Sequence, residues 1–311
     1  MAAQKQPRHF LDISALDGKT LRRMIDAAHK MKKAGKHVPL RLKPDGIETC
    51  VLAMIFEKPA TRTRVSFDVA MRQLGGSTIN LNHTDLQLGR GESIQDTARV
   101  LSRYVDAIMI RANAHATLLD LASHATVPVI NGLTEKSHPC QIMADIVTFE
   151  ERQGPIGGRT IAWIGDGNNV AMSWMHAAVR FGFTLKIACP AELRPGAETI
   201  AWVKREHGDV RIGEDAASAV KGADCVVTDT WISMGQSDAD ARKKLLKPYC
   251  VDAGMMKKAA KGAIFLHCLP AYRGAEVTAE VLDGPQSAVF DEAENRLHAQ
   301  KAILAWCLGA G

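Results

Sequence analysis

From residue 17 onward, short apolar runs alternate with amphipathic helical stretches almost to the C-terminus, and this alternation constrains the fold more than any other feature of the chain. Leu21, Met24, Ile25, Ala28 and Met31 recur at helical spacing over 17–34, and Gly35 stops that helix. Residues 49–56 form a continuous apolar run of strand length; 61–74 return to helical spacing and end at Gly75 and Gly76. The same reading predicts strands near 77–81, 106–111 and 127–130, with helices over 93–104, 115–124 and 138–151. A second series follows, with strands near 160–164, 184–189, 209–213, 224–228 and 263–266, helices between them, and a last helix over about 291–308. Strands that are apolar on both faces and separated by helices belong to parallel sheets covered on both sides. The fold class is α/β: two doubly wound parallel-sheet domains with connecting helices. Gly154, Pro155, Gly157 and Gly158 punctuate the junction, giving domains over 1–150 and 151–311, with the last helix free to pack back on the first domain.

Composition narrows the function classes. A chain of 311 residues with 46% hydrophobic and 23% charged residues has the makings of two packed cores and is not a disordered chain. The formal net charge of +5 divides as +6 in residues 1–50, −1 in 51–150 and 0 in 151–311. A nucleic-acid binder needs a larger, clustered excess, so no nucleic-acid partner is expected. Seven cysteines form no Cys-x-x-Cys pair, and several sit in apolar runs, which suits reduced thiols better than disulfides or zinc. With no apolar segment long enough to span a bilayer and no signal-like start, a cytoplasmic protein without membrane association is expected.

In doubly wound sheets ligands collect beyond the C-terminal ends of strands, so residues just past the predicted strands are the candidates. Ala60, Thr61, Arg62, Thr63 and Arg64 follow the strand at 49–56 and open a helix. A helix start offers unpaired N–H groups and a positive dipole end. Arginines ordinarily favour the last turn, so two in the first turn call for an anion; a solvated, capped helix is the plainer alternative. Arg111 ends the strand at 106–111, where a second anion contact fits. His138 and Gln141 lie on a helix's first turn and suit either capping or hydrogen bonds to a carbonyl or amide. Gly165, Asp166 and Gly167 resemble a dinucleotide fingerprint, but Val170 stands where the third glycine belongs. Asn168 and Asn169 in that turn fit a small polar ligand better than a nicotinamide cofactor. Asp229, just past the strand at 224–228, suits an ammonium group or an N-cap. Cys268 ends the strand at 263–266 and reads as nucleophile, proton acceptor or, taken alone, a packed thiol. Its neighbour His267 points to the opposite strand face, which disfavours a Cys–His hydrolase.

These segments, in this order and spacing, resemble the aspartate/ornithine transcarbamoylase family over about residues 9–305. The run Thr61-Arg62-Thr63-Arg64 and the group His138, Pro139, Gln141 resemble carbamoyl-phosphate binders in general. Asp229 with Ser233, Met234 and Gly235, the run His267-Cys268-Leu269-Pro270, and the stretch 290–296 resemble the ornithine branch of the family. The resemblance implies transfer of the carbamoyl group of carbamoyl phosphate to the side-chain amine of L-ornithine, giving L-citrulline and phosphate, by residues that serve either direction. It implies carbamoyl-phosphate contacts from Ala60, Thr61, Arg62, Thr63, Gln87, Arg111, His138, Gln141, Cys268, Leu269 and Arg296, with Gln87 lent to a neighbouring subunit of a homotrimer. Asn169, Asp229, Ser233 and Met234 correspond to the ornithine contacts; Arg111, His138, Asp229 and Cys268 carry the catalysis, with Cys268 helping to manage the amine's proton. No metal and no organic cofactor is implied. The sequence departs from the family at Ala60, where a serine is usual; the change removes a hydroxyl donor and keeps the backbone N–H. N-acetylornithine, putrescine or aspartate would be the other acceptors within the family, and a dinucleotide-dependent oxidoreductase is the rival suggested by fold alone.

Overall fold

A computed structural model describes residues 6–35, 50–82, 91–232 and 239–309. The chain divides into two compact units, Met1–Met143 with Arg296–Gly311, and Ala144–Asn295.

The first unit carries α1 (Gly18–Lys33), β1 (Val51–Phe56), α2 (Thr61–Gln73), β2 (Ser77–Asn82), α3 (Ile94–Leu101), β3 (Ala107–Arg111), α4 (His115–His124), β4 (Val129–Leu133) and the start of α5 (Pro139–Gln153). Its four strands are parallel in the order β2-β1-β3-β4. The chain runs outward from β1 to β2, then crosses to β3. The strand order therefore reverses between β1 and β3, and their C-terminal ends flank the crevice where such sheets bind ligands. Phe56 and Arg111 are register partners at that edge.

β4 lies at Val129–Leu133, three residues later at its end than the apolar run suggested. Pro128 has no N–H to give a ladder, and Asn131 and Gly132 read as turn residues in the sequence. In the fold Asn131 is fully buried, donating from Nδ2 to Leu11 O (2.9 Å) and Ser137 Oγ (3.0 Å). A Cβ on Gly132 would lie 2.6 Å from Met109 Sδ, so close strand packing requires glycine there.

The second unit holds the rest of α5, β5 (Thr160–Ile164), α6 (Asn169–Phe181), β6 (Thr184–Ala188), α7 (Ala197–Arg205), β7 (Val210–Gly213), α8 (Ala216–Val220), β8 (Cys225–Thr228), α9 (Ala239–Leu246), α10 (Ala253–Met256), β9 (Ile264–His267), α11 (Ala279–Leu282) and the start of α12 (Val289–Cys307). Five parallel strands run in the order β7-β6-β5-β8-β9, so the reversal falls between β5 and β8. Ile164, Val226, Trp231, Phe265 and Val289 belong to one buried cluster beneath that edge.

The last helix is divided. Its part from Arg296 onward counts with the first unit, where Arg296 is buried against α2 and Lys301 Nζ donates to Gln73 Oε1 (3.1 Å). Among the described residues no helix is long and apolar enough to cross a membrane.

Candidate active site

In the first unit the site is built at the β1/β3 edge. Ala60 is the N-cap of α2 and supplies no side-chain cap hydrogen bond, so a bound anion meets no capping side chain at the free N–H groups of the first turn. Thr61 and Arg62 are exposed, while Thr63 is buried. Thr63 Oγ1 accepts from two guanidiniums at once: Arg111 Nη1 at 3.3 Å from the end of β3, and Arg296 Nη2 at 2.8 Å from α12. One neutral hydroxyl thus gathers two fixed positive charges at a helix N-terminus, which is a field made for a dianion. Arg64, by contrast, lies over the Phe56 ring (5.1 Å) and hydrogen-bonds Asn82 Oδ1 at the end of β2. It braces the turn.

His138 and Gln141 are buried at the start of α5, tied together by Gln141 N donating to His138 O (3.1 Å). Burial holds the His138 imidazole well below its usual pKa, and the Arg296 and Arg111 charges push the same way. A neutral imidazole at physiological pH is suited to hydrogen-bonding a carbonyl without carrying charge. Cys140 is pushed up to about 12 by burial, so it is an inert packed thiol.

In the second unit the site lies at the β5/β8 edge. Gly165 has φ +122°, a backbone state for glycine, and a Cβ on Gly167 would lie 2.4 Å from Pro195 N and 2.5 Å from Leu193 O. The space beside that turn, which a pyrophosphate would need in a dinucleotide fold, is taken by the chain's own segment 193–195. Asn168 caps α6, its Oδ1 accepting from Val170 N (2.9 Å) and Ala171 N (3.1 Å), and its Nδ2 donates to Asp229 Oδ2 (2.7 Å). Asp229 Oδ1 accepts from Thr230 N (2.8 Å) and from the Cys268 thiol (3.2 Å). Three donors therefore fix this carboxylate at the crevice.

Cys268 is a donor here and not a base. Burial, then the nearby Asp229 and Glu292 carboxylates, push its thiol well above the usual range. Proton acceptance by a Cys268 thiolate, one of the readings open in the sequence, does not suit this environment. Iodoacetamide is accordingly expected to alkylate Cys268 far more slowly than free cysteine at pH 7–8, with the rate climbing only at alkaline pH, as mass spectrometry of the modified peptide would show. Rapid labelling at neutral pH would refute this.

Asp229, His267 and Cys268 each offer a ligand atom within 4.8 Å of the others. The imidazole is committed elsewhere, however. His267 Nδ1 accepts from Leu269 N (2.9 Å), so the ring proton sits on Nε2, which donates to Glu276 Oε1 (3.2 Å). With no ring nitrogen to spare, the trio does not fit a metal centre. The same bonds hold Leu269 at φ +58°, directly before the cis Leu269–Pro270 bond, and so shape the turn that carries Cys268.

Two positioning residues escaped sequence reading: Glu276, 9 positions from His267, and Arg242, 76 and 11 positions from Asp166 and Trp231, carry no local signature. Asn168, singled out in the sequence for a small polar ligand, instead holds Asp229, 61 positions away. Arg242 on α9 pairs with Asp166 and donates from Nε to Trp231 O (3.1 Å), tying the 165–167 turn to the segment after β8. Gln87, Ser233 and Met234 lie outside the described residues.

A parallel-sheet unit with two arginines converging at a helix start, and a second with a fixed carboxylate at its switch point, suit a protein that brings an anionic and a cationic substrate to group transfer; comparison with known families gives the class as carbamoyl transfer. The model described as "Aspartate/ornithine carbamoyltransferase, carbamoyl-P binding domain" matches residues 8–151, and that described as "Aspartate/ornithine carbamoyltransferase, Asp/Orn binding domain" matches 157–307. The chain belongs to the aspartate/ornithine carbamoyltransferase family. It is 60% identical over 307 residues to the ornithine carbamoyltransferase of Nitrobacter winogradskyi (99% of each chain), and 62% identical over 310 residues to that of Rhodopseudomonas palustris (100% of this chain, 99% of the relative). Among solved structures, the ornithine carbamoyltransferase of Pyrococcus furiosus superposes with a TM-score of 0.90 at 46% identity, covering 98% of each chain.

Proposed function

We propose that the chain transfers the carbamoyl group of carbamoyl phosphate to the side-chain amine of L-ornithine, giving L-citrulline and phosphate. The observation that carries this reading is the convergence of Arg111 and Arg296 on Thr63 at the uncapped start of α2, in a chain about 60% identical, end to end, to proteins named ornithine carbamoyltransferase. The first domain, about 1–150, takes carbamoyl phosphate; the second, from about 151, takes ornithine.

Residues 60–63 supply backbone N–H groups and hydroxyls to the phosphate, with Arg62, Arg111 and Arg296 balancing its charge; Gln87 and Leu269 complete that site. Thr63, Arg111, His138 and Gln141 hold the carbamoyl oxygen and amide. Asp229 orients the acceptor's amines, with Asn169, Ser233 and Met234 beside it, and the Cys268 S–H keeps the carboxylate in place. An alkylamine has a pKa of about 10.4 and attacks only as the free base. Its nitrogen forms the new C–N bond, negative charge gathers on the carbamoyl oxygen under Arg111, Thr63 and neutral His138, and the C–O bond to phosphate then breaks. The nitrogen's second proton leaves with the phosphate, whose newly exposed oxygen accepts it. Phosphate is a good leaving group, so the step needs no metal or organic cofactor.

We also place the protein in the cytoplasm as a homotrimer. All seven cysteines are free, and the edge strand β2 and helix α2 expose Ile79 and Val65. Light scattering on the purified protein is expected to give three times the 33.7 kDa chain mass.

The direct test is a coupled assay with carbamoyl phosphate and a panel of amines that reads citrulline and phosphate together. Formation of both from ornithine, well above the rates with N-acetylornithine, putrescine or aspartate, is expected; no citrulline from ornithine would sink the reading.

Ala60 sets a further expectation. A serine hydroxyl there gains a hydrogen bond to charged phosphate of about 1.5–3 kcal/mol. In the unliganded enzyme the same hydroxyl caps α2, which offsets about 1 kcal/mol of that gain. Ala60→Ser is thus expected to lower KM for carbamoyl phosphate about 3- to 30-fold at unchanged KM for ornithine. An unchanged or raised KM in initial-rate kinetics would count against phosphate contact at this position.

A further inference from the structure

A cavity of about 570 Å³ opens in the second unit beyond the C-terminal ends of β6 and β7, on the other side of β5 from Asp229 in the strand order. None of its lining residues belongs to the phosphate or acceptor groups described above. Its size is that of a site for an organic molecule rather than for a lone ion.

Two features of the lining are chemical opposites. Leu245, Pro248, Met255 and the ring of Tyr249 supply an apolar wall, while Glu192, Glu214 and Asp215 bring three carboxylates, and no lysine or arginine lines the cavity. The carboxylates differ in how far they are engaged. Asp215 Oδ1 caps α8, accepting from Ala217 N (2.9 Å) and Ser218 N (3.2 Å). Glu214 meets Arg194 only at 3.5 Å, with both side chains about half exposed. Glu192 is exposed and makes no ion pair with a described residue.

Tyr249 is the independent pointer. It is 93% buried, as its exposure is 7%, and its hydroxyl hydrogen-bonds to no described residue. The ring is enclosed and the hydroxyl opens on the cavity, so a ligand that fills the cavity takes the place of water as its hydrogen-bond partner. Burial and the Glu214 and Glu192 charges raise its pKa, so the hydroxyl faces the same carboxylates and stays protonated.

We propose that this cavity binds an organic cation, an ammonium or guanidinium group carried on an apolar body. The charged head meets Glu192 and Glu214, the hydroxyl of Tyr249 accepts from it, and the apolar part lies against Leu245, Pro248 and Met255. A phosphate or carboxylate ligand is disfavoured by three like charges in the wall.

The test is calorimetric titration of the full-length protein with phenylbutylamine, against phenylbutanol and phenylbutyrate as neutral and anionic ligands of matched length. Saturable binding of the amine alone is expected, weakened about tenfold by Glu192→Gln/Glu214→Gln, since each exposed ion pair is worth little by itself. Tyr249→Phe should weaken it as well, and both variants should keep carbamoyl-transfer rates within about twofold, because they act outside the catalytic groups. Asp229→Asn should leave the binding intact, which separates this cavity from the acceptor site. Three outcomes overturn the proposal: no saturable binding of the amine, equal binding of the alcohol, or binding lost in Asp229→Asn and kept in the double variant. Because the readout is binding, failure of the carbamoyl-transfer reading would leave this test standing.

Discussion

Arg111→Ala is expected to lower kcat/KM for citrulline formation about a thousandfold, the loss typical of a donor that faces a developing oxyanion. Two effects add. The phosphate loses a charge-assisted hydrogen bond worth about 1.5–3 kcal/mol, and the Thr63 hydroxyl is left with Arg296 as its one guanidinium donor. Arg111→Lys keeps the charge but not the planar fork, so an intermediate loss is expected, larger in kcat than in stability. Circular dichroism and Tm should stay close to the parent, because Arg111 stands at the end of β3 and its contacts there are polar. A kcat/KM within threefold or so of the parent would remove Arg111 from the mechanism, since a charged hydrogen bond is worth more than that.

The second large effect is expected at Asp229. Asparagine has nearly the same shape, yet one carboxylate oxygen becomes an NH2 group. Because Oδ2 accepts from Asn168 Nδ2 and Oδ1 from Thr230 N and the Cys268 thiol, either orientation of the amide sets a donor against a donor. The acceptor's ammonium also loses its counter-charge. Asp229→Asn is therefore expected to reduce kcat/KM for ornithine about a hundredfold, at the upper end of a lost charged hydrogen bond. KM for carbamoyl phosphate should change less, because the charged groups proposed for its cradle, Arg62, Arg111 and Arg296, all belong to the first unit. Equal losses for both substrates in initial-rate kinetics would contradict that division of labour.

The two substitutions probe arrangements of unequal legibility. The motif at 60–64 suggests an anion site because arginines in the first turn of a helix oppose its dipole, a local conflict that needs no fold to detect. What the local reading missed is the different fate of the two arginines. Arg62 remains exposed, whereas Arg64 turns back onto Phe56 and Asn82. Arg296 shows the opposite limit. A single arginine in a long helix near the C-terminus carries no signal of its own, and only the resemblance to a family pointed to it before its contact with Thr63 was seen.

Cys268 shows how environment selects among chemistries that a residue type leaves open. A cysteine at a strand end is open to three readings, nucleophile, proton acceptor or packed thiol, and sequence alone favours the last. Burial beside Asp229 and Glu292 raises its pKa and makes it a hydrogen-bond donor. His138 is tuned in the other direction by the same cause: burial next to two guanidiniums penalises its charged form and keeps the imidazole neutral.

The alternation of apolar strands and amphipathic helices, read on the sequence alone, determined two parallel α/β units and put Arg111, Asp229 and Cys268 at the ends of strands where ligands gather. Strand period and helix period are local properties, written within ten or so neighbouring residues. Tertiary structure alone decided which strand ends become neighbours, that Thr63 receives Arg111 and Arg296, that Asn168 holds Asp229, and that Glu276 fixes the tautomer of His267. Those contacts join residues up to 233 positions apart, and packing, not sequence pattern, sets the distances and the burial on which their charges and protons depend.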